Sequence, residues 1–211
     1  LVAGEYKQLR MLQRLPLEQL KIPWVKKTKS GIAVGNVQPA LFTKDIAFHP
    51  LHLMTLSELY HLTSERSPLS ELSLWKNLRS AITFFENDTP IDNGINTPTF
   101  QKLQQYATNF FYHLSPTKML PVATAHGDFT PWNMYRSDSH LQVYDWEMST
   151  NDTPLFFDLF HYCLQKGILI ERKNWSAIEA EIQNIMARPE AQNLCAQFKV
   201  DWRNHLSLYL L

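Results

Sequence analysis

At 211 residues, with 45% hydrophobic and 12% aromatic side chains, the chain carries enough apolar surface for one substantial core, or for one core with a small appended lobe. Twenty basic and twenty acidic residues cancel to a formal charge of zero, which excludes a global field drawing the chain to nucleic acid or to an anionic membrane surface. No apolar run reaches membrane-spanning length and the first residues lack the order of a signal peptide, so the expected location is cytoplasmic.

The sequence opens Leu1-Val2-Ala3-Gly4-Glu5 and stops at Leu211 inside an amphipathic pattern, so both ends read as cut from a longer protein. Residues 4 to 15 place Tyr6, Leu9, Met11, Leu12 and Leu15 among charges, which predicts a helix with one buried face, ended by Pro16. Trp24-Val25 and Ile32-Ala33-Val34 flank Lys29-Ser30-Gly31 and predict a β-hairpin. Helices are expected near 54 to 64, 69 to 87 and 98 to 114, the last with Thr97 as N-cap and Pro98 at its first position. Asn87 to Gly94 is a polar, turn-rich loop. Strands follow at about 122 to 125 and 141 to 145; Thr153-Pro154 then opens a helix that Gly167 closes, and 174 to 211 is helical with a break at Pro189. Cys163 and Cys195 fit no metal-ligand spacing and read as buried, reduced thiols.

The chemistry concentrates between the two strands. His126, Asp128 and Asn133 match the spacing H-x-D-x-x-x-x-N without gaps, in which an aspartate orients or accepts a substrate hydroxyl proton and an asparagine on the same loop reaches a magnesium ion. A second carboxylate must then bridge Mg²⁺ to nucleotide phosphates, since this cation takes oxygen ligands and keeps several waters. Asp145 follows the alternating run Leu141-Gln142-Val143-Tyr144, so a strand would deliver it beside the loop. Each residue alone also fits a bland role: His126 as a core histidine, Asp128 and Asn133 as loop residues bonding local backbone, Asp145 as the end of a strand.

These residues resemble the aminoglycoside phosphotransferase and choline kinase family, which carries His-Gly-Asp and Asp-Trp-Glu where protein kinases carry His-Arg-Asp and Asp-Phe-Gly. Here they are His126-Gly127-Asp128 and Asp145-Trp146-Glu147, followed by Pro154-Leu155-Phe156-Phe157-Asp158-Leu159, similar to the family's Pro-x-x-Asp-Leu segment. The resemblance implies an α+β, protein-kinase-like fold: a partial N-terminal lobe of helix plus hairpin with the hinge (1–40), and a mostly helical catalytic C-terminal lobe (41–211). It implies Asp128 as catalytic base, Asn133 and Asp145 as magnesium ligands, and Asp158 with His126 as structural support of the catalytic loop. It also implies Glu5 as partner of an ATP-binding lysine, with Asn36, Val37 and Gln38 meeting the adenine at the hinge. The expected reaction moves the γ-phosphoryl group of ATP to a hydroxyl of a small molecule or glycan. Trp132 and Phe129 flank the loop and either line the site or anchor it in the core.

The sequence departs from the family where ATP is gripped. The family places a phosphate-covering loop and a strand lysine before the glutamate-bearing helix; Gly31 and Gly35 bracket a strand instead, and Lys26, Lys27 and Lys29 read as hairpin-surface charges. Either more chain precedes Leu1 or the protein is a degenerate, pseudokinase-like binding protein. A metal-dependent phosphoesterase would need paired histidines, whereas His113, His140 and His161 are scattered.

Overall fold

The computed structural model describes residues 2–35, 46–87 and 98–211, the side chains of residues 2, 84–87, 98–100 and 103 excepted. The expected adenine contacts Asn36, Val37 and Gln38, most of the loop before residue 95, and the Thr97 cap lie outside the described residues.

Helix α1 (Val2–Leu12) holds Leu9 and Leu12 three positions apart, on one face, and both are fully buried. It is shorter than the apolar pattern predicts. The chain leaves it through tight turns, Arg14 N–H to Met11 O and Leu15 N–H to Leu12 O, because the residue before Pro16 is pushed out of helical geometry. Strands β1 (Leu20–Lys21), β2 (Val25–Lys27) and β3 (Ile32–Val34) follow, and β2 and β3 pair antiparallel with Val25 opposite Val34, which is the hairpin the sequence predicts. The approach to β1 is fixed from outside. Glu58 of α2 (Pro50–Thr63) accepts the amide hydrogens of Glu18, Gln19 and Leu20, charge-assisted bonds stronger than neutral ones.

Strand β4 (Glu65–Pro68), which no apolar alternation announces, leads through a 3-10 turn at Leu69–Glu71 into α3 (Ser73–Asn87), and α4 (Pro98–His113) follows. The buried strand β5 (Met119–Ala125) then lies between β4 and β8 (Thr150–Pro154) in an antiparallel sheet ordered β4-β5-β8. Thr153 and Pro154 therefore end a strand rather than open a helix. β8 is an edge strand, where the missing proline N–H disturbs no ladder. A second sheet, β1-β7-β6, joins β6 (Met134–Arg136) antiparallel and β1 parallel to β7 (Leu141–Val143).

Helix α5 (Phe157–Gln165) runs into a π-helical turn at Lys166–Ile170. Gly167 lies inside that turn and does not close the helix. A Cβ there would stand 2.6 Å from Ile178 Cγ1, so the glycine lets α6 (Trp175–Met186) approach closely. The tail contains two further helices, α7 (Pro189–Phe198) and α8 (Trp202–Tyr209). Besides the expected break at Pro189 there is a second, where Lys199 takes a left-handed φ of 54°.

The main core gathers Leu9, Leu12 and Leu20 with Leu56, Phe129, Trp146, Phe156, Phe160 and Ile182; each such side chain removed from water contributes about 1.5–3 kcal/mol. A smaller cluster packs α3 and α4 on β5, with Trp75 and Phe111 stacked at 4.4 Å. Cys163 is buried and Cys195 half-buried, both as free thiols. No described helix is long and apolar enough to cross a membrane.

His205 of α8 is buried and its Nδ1–H donates to Leu155 O at 3.0 Å. Burial lowers its pKa below 6.5, with the Leu155 carbonyl partly opposing. The unfolded chain therefore binds a proton that the folded chain refuses. This contribution is fully present above pH 6.5 and is lost as pH falls from 6.5 through the folded value. Asparagine keeps a donor to Leu155 O without a titrating ring. His205→Asn should flatten the pH dependence of the unfolding free energy from urea titration between pH 7 and 5, by up to about 1.4 kcal/mol per pH unit, and equal slopes would contradict the assignment.

Candidate active site

The segment His126 to Asn133 leaves β5 and returns as β6, and its shape is set by one buried carboxylate. Asp158 of α5 accepts the amide hydrogens of His126 at 2.7 Å and of Gly127 at 3.0 Å. His126 is also fully buried. Its Nδ1 accepts the Asp128 N–H at 3.2 Å, and its Nε2–H donates to Tyr144 O, a pattern that fixes the neutral Nε2–H tautomer. Burial pushes the His126 pKa down, against the pull of Asp158, and burial pushes the Asp158 carboxyl up, against His126 and the two amides. Tyr60 supports the same corner: its Oη accepts the N–H of Phe156, a buried residue held at a left-handed φ of 69°.

Gly127 has φ +85°, and a Cβ there would lie 2.4 Å from Met148 O. Only glycine fits this turn. Phe129 buries its ring in the main core while Trp132 stays 37% exposed, so of the two rings flanking the loop the first is an anchor.

The turn delivers Asp128 to the surface with its side chain 36% exposed. Asn133 Nδ2–H donates to Asp128 Oδ2 at 2.8 Å and to Asp128 O at 3.1 Å. With the amide nitrogen so used, Asn133 Oδ1 is left as the acceptor end. Tyr144 N–H donates to Asn133 O at 2.8 Å, which ties the backbone just before Asp145 to Asn133. Asp145 is exposed, at a left-handed φ of 60°, and starts the 3-10 turn Trp146–Met148, whose indole is buried and bonds Val143 O at 3.0 Å.

Glu5 of α1 lies against that turn, where the Trp146 backbone amide favours its ionised form. Burial, then the charges of Asp145 and Glu147, raise its carboxyl pKa. Its described surroundings are thus acidic, where the resemblance implies a lysine. A short relay also ties α1 to β5: Gln8 Nε2–H and Thr124 Oγ1–H both donate to Asn151 Oδ1 at 2.9 Å.

Two residues that spacing did not single out complete the site. His161 Nε2 lies 3.1 Å from Asp128 Oδ1, and His161 Nδ1 lies 3.1 Å from Tyr209 Oη. The readable signal for His161 is its place three residues after Asp158, on the same face of α5.

No protein-family model and no curated protein matches this sequence. The fold is similar to that of a glucosamine kinase (crystal form B), with a TM-score of 0.54 at 13% identity, over 98% of this chain and 62% of that one. The chain therefore has a kinase-like fold at the coarse level and spans less than two thirds of that neighbour's length.

Gly127→Ala should lose about 1–3 kcal/mol through the left-handed backbone alone, and the Met148 carbonyl must shift as well. Calorimetric melting checks this. A melting temperature equal to wild type would show that the loop tolerates another path.

Proposed function

We propose that this chain is the catalytic part of an ATP-dependent phosphotransferase of the aminoglycoside phosphotransferase and choline kinase type, acting on a hydroxyl of a small molecule or sugar. The observation that carries this reading is the bonding of Asn133 at both ends: its side chain holds Asp128, and its carbonyl holds the strand that delivers Asp145. A base and two oxygen ligands thereby share one rigid frame. In such a reaction the acceptor oxygen bonds to the γ-phosphorus while its proton passes to Asp128, and the bond from that phosphorus to the ADP oxygen breaks. The likeness to a glucosamine kinase fold supports a sugar-type acceptor as the first to try.

Magnesium fits the donors present. Among the described residues no set of three or more His, Cys, Asp or Glu is arranged to hold a metal alone, and Mg²⁺ on a nucleotide needs only one or two side-chain oxygens besides phosphates and water. Asn133 Oδ1 and the Asp145 carboxylate would supply them, and the bound ion would neutralise charge on the transferring phosphoryl group. Asp158 and His126 hold the loop that presents Asp128. Asn36, Val37 and Gln38 are the proposed adenine contacts. We place the lobe boundary at residue 40, with 1–40 as partial N-terminal lobe and hinge.

A second reading is a non-catalytic, pseudokinase-like binding protein. The two readings separate on the full-length protein. The phosphotransferase turns over Mg·ATP, tested with glucosamine and a panel of sugars, and Asp128→Ala lowers that turnover at least about a hundredfold. Equal turnover in wild type and Asp128→Ala would remove Asp128 from the chemistry. Absence of Mg·ATP binding by calorimetry would leave the binding-protein reading.

A further inference from the structure

Asp158 and His161 sit three residues apart on α5, so one helix face addresses the catalytic loop twice. Asp158 takes the backbone amides of His126 and Gly127; His161 reaches the side chain of Asp128. The imidazole is well confined. It stacks nearly parallel on Phe157, at 6.1 Å and 8°, and Tyr209 of α8 meets Phe157 edge-on at 4.9 Å. The side chain of His161 is only 16% exposed, against 36% for Asp128.

A carboxylate can only accept, so the 3.1 Å approach to Asp128 Oδ1 puts a proton on His161 Nε2. In the neutral ring Nδ1 is then an acceptor, and the phenol 3.1 Å away supplies the donor. Burial, then Asp158, pushes the Tyr209 pKa up, so its hydroxyl keeps its proton.

From this geometry we infer that His161 is the positioning residue of Asp128, with Tyr209 fixing the tautomer in which His161 can act. Building on the phosphotransferase reading, this assigns each oxygen of the base its own holder: Asn133 Nδ2–H on Oδ2 and His161 Nε2–H on Oδ1. Both carboxylate torsions are thereby set. The lone pairs that remain belong to a side chain 36% exposed, which an acceptor hydroxyl can reach. The logic is that of a catalytic triad with the roles exchanged: tyrosine orients histidine, and histidine orients the aspartate that takes the proton. Without His161, Asp128 keeps one holder and turns about its own axis, a misplacement of the kind that costs rate but little binding.

The test has two arms on the full-length protein. Long-range ¹H–¹⁵N spectra, with His161 assigned by its absence in His161→Gln, should show the Nε2–H tautomer, shifted in Asp128→Asn and mixed with the other tautomer in Tyr209→Phe. The reverse tautomer in wild type, or a His161 signal identical in wild type and Asp128→Asn, overturns the proposal. The second arm follows ADP release from Mg·ATP with water as acceptor. His161→Ala should lower kcat at least about tenfold with KM for Mg·ATP within about twofold, a split expected when positioning rather than binding is lost. Glutamine, whose Nε2–H lies the same number of bonds from the backbone, should restore most of kcat, and Tyr209→Phe should cost about two- to fivefold. In an Asp128→Ala background, His161→Ala should have no further effect. Equal losses for alanine and glutamine, or a full additional loss in the Asp128→Ala background, assign His161 a merely structural part and overturn the proposal. A wild-type protein without turnover, but with the predicted tautomer, overturns the phosphotransferase reading and leaves the hydrogen bond standing.

Discussion

Two backbone amides, those of His126 and Gly127, end on one buried carboxylate, and much of the molecule is arranged to keep Asp158 where they can reach it. An ionised carboxylate in a core is costly unless its lone pairs are used. Here they are used by the chain segment that most needs to be held, which has no regular hydrogen-bond ladder of its own. The arrangement demands that α5 begin at a fixed point. Phe156 therefore accepts a left-handed backbone, its amide is received by Tyr60, and its ring is buried. The strain of that residue, of order 1–3 kcal/mol, is offset by burial around it.

From the anchored loop the remaining geometry follows in steps of one or two bonds. Gly127 turns against the Met148 carbonyl, His126 receives the next amide and sends its other nitrogen to Tyr144, and Tyr144 bonds the backbone of Asn133. Asp128, Asn133 and Asp145 are thus placed by backbone and buried groups, while their own side chains stay partly or fully open to water. Such a division lets a polar group be both well positioned and reactive.

The parts legible in the sequence are those where spacing is itself the physics. A loop of fixed length between two strands joins His126 to Asn133, and the alternation before Asp145 marks the returning strand. The apolar row in 4–15, though its helix ends at Leu12, and the turn at Lys29–Gly31 were also readable, because local periodicity decides them. What was not readable depends on partners distant in the chain. Thr153-Pro154 carries a helix-start signal, yet pairing with β5 makes it strand; Glu65–Pro68 has no strand signal, yet the other edge of β5 recruits it. Gly167 looks like a helix end, but its reason is Ile178. His161 is 33 residues from Asp128 and Tyr209 a further 48 from His161, so only the packed helices bring the three together.

The relay from Gln8 through Asn151 to Thr124 gives α1 a mechanical allegiance. Leu9 and Leu12 sink into the same core as Phe129, and the relay reaches β5 two residues before His126. Helix and loop are therefore braced against the same core. A swing of α1 would have to break these part-buried polar bonds and open the core. The chain between α1 and the hairpin is braced as well, by Glu58 on its amides and by the pairing of β1 with β7.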